Sequence, residues 1–142
     1  MKHCAWLLAY LLFAFALFGN DKDHNHDDLT SAQLGTVHFP VSCASSVQEP
    51  FERGVALMHS FWYEEAEKQF LQVEKDDPHC GMAHWGVAMT LWHQLWDQPD
   101  AKVISRGMDE VRRAKREKIT SRESAYITAR RYAQIAPAAP HA

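Results

Sequence analysis

The chain has 142 residues, 46% of them hydrophobic and 23% charged, which suits one modest hydrophobic core and is short for two domains. Six glycines and six prolines are too few for a loop-rich sandwich or a disordered chain, so the composition leans towards helix. Charge is divided: the first 100 residues hold 5 Lys/Arg against 14 Asp/Glu and the rest hold 10 against 4, within an overall balance of −3.

The start of the chain reads as an address. Met1-Lys2-His3 is a short basic opening, Cys4 to Phe18 is an apolar run, and Ala14 and Ala16 place small residues at a cleavage position. This predicts a secretory signal over residues 1–16, or to 20 in a longer reading. The run is short of the ~20 apolar residues that span a bilayer, so an uncleaved anchor is the weaker alternative, and only then is membrane contact expected. Residues 17–30 are dominated by Asp21-Lys22-Asp23-His24-Asn25-His26-Asp27-Asp28, too polar to bury, and read as a flexible linker. Residues 31–47 follow as an extended leader. Export would leave Cys43 and Cys80 as the mature cysteines, either bonded to each other or as two thiols.

From residue 48 the sequence repeats. A shift of 34 residues lays Phe51 on Trp85, Gly54 on Ala88, Leu57 on Leu91, His59 on His93 and Trp62 on Trp96. Around Asp97 to Val103 the register jumps by seven, after which a shift of 41 lays Ala66 on Gly107, Phe70 on Val111, Trp85 on Tyr126 and Ala88 on Ala129. A period in the mid-thirties is the mark of a two-helix repeat. Inside each unit the apolar residues step by three and four, as in Phe51, Val55, Met58, Trp62 and in Ala66, Phe70, Val73. Five helices are predicted, near 48–59, 63–76, 80–95, 100–117 and 121–135. Ser60-Phe61-Trp62 makes the first turn, Pro78 closes the first unit, and Thr120-Ser121-Arg122-Glu123 has the form of a capping box. The small residues Gly54 and Ala66 are expected to face each other inside the first hairpin. The basic end interleaves Asp109, Glu110, Glu117 and Glu123 with its positive charges, so it reads as a solvated face and nucleic-acid binding is not expected.

Gly54, Leu57, Ala66, Phe70 and Pro78 fall at the signature offsets of the tetratricopeptide repeat, and the first unit resembles that family. The second departs from it, with Ala88 for the signature glycine, Gly107 for the alanine, and a lengthened loop. More narrowly, Leu34-Gly35-Thr36-Val37-His38-Phe39-Pro40, His59 to Ala66 and Met82-Ala83-His84-Trp85-Gly86 resemble a group of exported bacterial tetratricopeptide proteins to which no established activity attaches. The resemblance implies an all-α fold: a right-handed stack of about two and a half helix-turn-helix repeats over 48–80, 81–119 and a partial 120–135, with a disordered tail at 136–142. The chain then reads as a domain or as a fragment of a longer repeat protein with a structural role alone.

The family lines its concave groove with the first helix of each hairpin. Carried onto this chain, that gives Gln48, Phe51, Val55, Met58 and His59, then Met82, Trp85, Met89, Trp92 and His93, then Glu123, Tyr126 and Arg130. A groove this rich in aromatic and methionine side chains suits a peptide or protein partner. The same stripe also reads as core covered by residues 31–47. Repeat geometry sets the first helices side by side, about 10 Å apart, which brings Cys43 near Cys80 and predicts a disulfide. No phosphate loop, serine elbow, paired metal histidines or Cys-x-x-Cys is present, so neither an enzyme nor a cofactor is expected. A metal or redox site using Cys80 and His84, four apart on one helical face, is the competing reading, with His38, His59, His79 and His93 as further nitrogen donors.

Overall fold

The computed structural model describes residues 31–92 and 99–129. The expected signal, linker and tail, together with His93 and Arg130, lie outside them. The described chain is all-helical: α1 (Ser31–Leu34), a 3-10 turn (Ser45–Val47), α2 (Gln48–His59), α3 (Tyr63–Asp76), α4 (Gly81–Thr90), α5 (Ala101–Ala114) and α6 (Ser121–Thr128). The expected bounds of the first two long helices coincide with α2 and α3, whereas α4 ends at Thr90 and α5 at Ala114. The leader is extended only in its middle, between α1 and the 3-10 turn.

Local chemistry sets the ends of these helices. The Asp100 carboxylate accepts from the Val103 N–H at 2.8 Å and caps α5. Thr120 and Glu123 complete the capping box of α6. Helix α2 closes in a Schellman turn, with Trp62 N–H donating to Leu57 C=O and Phe61 N–H to Met58 C=O. The left-handed residue of that turn is Phe61, at φ 64°, where glycine is usual, and its ring is exposed.

Consecutive long helices from α2 to α5 pack against one another, and α2, α4 and α6 also touch in that order. First helices therefore neighbour first helices, as a stacked two-helix repeat requires. The core runs through Val47, Phe51, Val55, Leu57, Ala66, Phe70, Val73, Cys80, Met82, Ala83, Trp85, Val87, Ala114 and Ile127.

At its centre, Phe70 stands between two glycines. A Cβ at Gly54 would lie 2.7 Å from the Phe70 ring, and one at Gly86 would lie 2.4 Å from it. The nearest neighbour of Gly54 across the hairpin is thus the Phe70 ring, which reaches the space that the missing side chain leaves. Gly54→Leu should overpack this contact and lower the stability to urea by about 1–3 kcal/mol. An unchanged urea midpoint would mean that the two helices do not approach this closely.

Candidate functional site

The stripe, expected either to line an open groove or to be core under residues 31–47, is partly core. Phe51, Val55 and Met82 are buried, Trp85 is 8% exposed, and the signature residues Leu57, Phe70 and Ala88 are buried with them. Met58, Met89 and Trp92 are half-buried, while His59 and Tyr126 are exposed. The stripe is covered by the leader. Phe39 packs its ring against Phe51 (5.6 Å between centroids), Trp85 (5.8 Å, stacked) and Tyr126 (5.0 Å), with the Arg122 guanidinium 5.0 Å from its centre. Val37 and Val41 also pack against the core.

The groove reads the leader's backbone as well as its side chains. On α2, the Gln48 side-chain amide donates to Phe39 C=O at 3.0 Å and accepts from Val41 N–H at 3.1 Å. The Glu52 carboxylate accepts from Phe39 N–H at 2.8 Å. From α6, the Arg122 guanidinium donates to Pro40 C=O at 2.8 Å. An extended segment has no helical partners for these groups, so side chains from two helices take their place.

Glu123 holds the far end. Its buried carboxylate accepts from Ser42 N–H and Ser42 O–H, both at 2.6 Å, and from Thr120 N–H at 2.7 Å and Thr120 O–H at 2.8 Å. Burial pushes this carboxyl's pKa up, but the hydrogen bonds from Ser42 and Thr120 outweigh it and hold the group below its ordinary value. Because the folded-state pKa is depressed, the stabilisation is complete above the unfolded carboxylate's pKa of about 4.3 and is lost as pH falls through the folded value. Glu123→Ala, which removes half of the capping box and the shared acceptor of Ser42 and Thr120, should cost about 1–2 kcal/mol at neutral pH. That difference from the parent should shrink on acidification in parallel urea melts, and a constant difference down to the acid transition would contradict the assignment.

Below Ser42 the leader is fastened covalently. Cys43 and Cys80 form a disulfide. Asp77 braces it, accepting from Ala44 N–H at 2.8 Å and His79 N–H at 3.1 Å. Cys80 is therefore no thiolate ligand, and its proposed metal pairing with His84 does not form. His84 faces Glu74 and Glu110 instead, at 2.8 and 2.9 Å from Nδ1. The Glu74 carboxylate raises the imidazole pKa most, burial opposes it, and Glu110 adds to the rise. His38 and His79 lie at the surface beside Glu52 and Glu117.

Sequence reasoning placed Gln48, Glu123 and Tyr126 on this face and missed Glu52, Arg122 and Ser42. Glu52 lies one helical turn after Gln48 and so shares its face, a signal that the spacing did carry, whereas Arg122 sits inside the capping box and nothing in the spacing pointed it at the leader. Beside the start of the leader a cleft of about 380 Å³ opens between Leu34, Val37, Glu49, Arg53 and Gln69. Among the described residues no helix is long and apolar enough to cross a membrane, and the disulfide is compatible with an oxidising compartment. No family model matches this chain, and no curated protein or solved structure does.

Proposed function

We propose that the chain is an exported tetratricopeptide-type scaffold that binds an extended segment of a protein partner on the face formed by α2, α4 and α6. The reading rests on the manner in which residues 37–42 lie there. Phe39 fills an aromatic pocket of Phe51, Trp85 and Tyr126 while Gln48, Glu52, Arg122 and Glu123 satisfy the neighbouring backbone. A surface that pairs peptide backbone and adds one deep side-chain anchor is what recognition of an extended chain requires. The leader then acts as the groove's resident ligand, and a partner must displace it.

Phe39→Ser should loosen the leader and expose the pocket. A proteomic comparison of baits immobilised in an exported-protein extract tests the reading, using the parent, Phe39→Ser, and Phe39→Ser combined with Arg122→Ala. The expected result is a protein enriched by Phe39→Ser about tenfold over the parent and lost again with the Arg122 change. Identical recoveries from all three baits would contradict it. Trp85→Ala does not serve as the groove mutation, because a ring this buried is also part of the core.

A further inference from the structure

Away from the leader, three helices bring together three donor atoms whose arrangement an ion pair does not complete. Glu74 near the end of α3, His84 in α4 and Glu110 in α5 converge with one ligand atom each, all within 4.8 Å of one another. Their side chains are largely buried, at 16%, 12% and 8% exposure. His84 Nδ1 lies 2.8 Å from Glu74 Oε1 and 2.9 Å from Glu110 Oε2, and its hydrogen bond goes to Glu110. One ring nitrogen carries at most one hydrogen, so a proton there leaves the second carboxylate wanting. Glu74 Oε1 is buried and, although 2.8 Å from Nδ1, accepts no well-directed hydrogen bond, so only charge attraction ties it to the ring. A buried carboxylate oxygen held this way gains from a partner that it can face directly.

We propose that Glu74, His84 and Glu110 bind one divalent first-row transition cation, with Zn²⁺ the representative ion. Imidazole nitrogen and carboxylate oxygen are donors this class accepts, at about 2.0–2.2 Å. Two ligands of a tetrahedral ion at such distances lie roughly 3.3 Å apart, so each carboxylate oxygen would draw back from Nδ1 by about half an ångström to admit it. Two carboxylates balance the charge of the ion, and neutral His84 supplies a lone pair at Nδ1 in place of its proton. Glu110 is oriented for this, because its other oxygen faces the Arg113 guanidinium at 3.4 Å and Oε2 is left for the metal. The remaining coordination positions go to water. The bound ion would tie the first hairpin, through α3, to the second, through α4 and α5, as a staple separate from the disulfide. Cys43, Asp77 and Cys80 also cluster, but their two sulfurs are bonded to each other and offer no thiolate.

Calorimetric titration of Zn²⁺ into the full, disulfide-bonded chain is the test. One equivalent should bind with a Kd on the order of 1–10 µM, and the thermal midpoint should rise on saturation. Glu74→Gln and His84→Asn should each weaken binding by at least about tenfold. Co²⁺ bound to the unmutated chain gives a readout independent of whether a variant folds: visible d–d bands without thiolate charge transfer, and paramagnetic shifts on the His84 ring protons. No saturable binding below about 100 µM would overturn the proposal. Equal affinity in both variants, or Co²⁺ shifts confined to His24 and His26, would overturn it as well.

Discussion

Phe70→Ala should lower the free energy of unfolding by about 3–5 kcal/mol, the largest loss expected from any single side chain among the described residues. Phe70 is fully buried, and its ring sits 5.4 Å from that of Phe51. Two helix backbones also close on the ring, at Gly54 and Gly86. Glycine has no side chain that can swing into the vacated space, so α2 and α4 would have to move bodily to close it, and the cavity would persist. For a domain whose total stability is roughly 5–15 kcal/mol, this removes a large share. Urea denaturation followed by far-ultraviolet circular dichroism reads the change as a lower midpoint. A loss below about 1 kcal/mol would show that the ring does not fill the space between those helices.

Loss of the Cys43–Cys80 disulfide has an expected effect of similar size. The bond closes a loop with a sequence separation of 37, and loop-closure entropy alone gives about 4 kcal/mol of stabilisation. Its consequence is also positional, since Cys43 follows directly on Ser42, the last leader residue held by Glu123. With the staple gone, Phe39 and its backbone contacts are the principal hold on the leader. Cys43→Ala with Cys80→Ala should lower the thermal midpoint and shift Trp85 emission to the red as the pocket opens to water. A melting curve that does not move would contradict the first role, and a lowered midpoint with unchanged tryptophan emission would contradict the second.

Much of the fold is legible in the sequence because its signals are local and periodic. Three- and four-residue spacing around Phe51 and Phe70 marks α2 and α3, and the Thr120–Glu123 box marks α6. The cysteine pairing follows from the repeat register, which sets Cys43 beside the start of the second unit. The site is less legible, for a physical reason. Phe51, Trp85 and Tyr126 form one stripe whether water, a partner or the chain's own leader lies over them, and periodicity reports the stripe and not its cover. Only the contacts of Phe39 and Ser42 with residues far along the chain resolve the matter. Similarly, Cys80 and His84 share a helical spacing that suggests one site, yet the disulfide takes Cys80 and the facing helices present Glu74 and Glu110 to His84.

On the proposed reading, the face of α2, α4 and α6 binds an extended peptide and the leader occupies it in cis. Fluorescence anisotropy of a labelled peptide spanning residues 34–42, added in trans, tests this most directly. A tethered leader competes at an effective concentration of order millimolar, so the parent chain should bind the peptide weakly. The Phe39→Ser chain should bind it at least about tenfold more tightly, and adding Arg122→Ala should remove the gain. Absence of saturable binding to the Phe39→Ser chain, with its helical signal intact, would contradict peptide binding on this face.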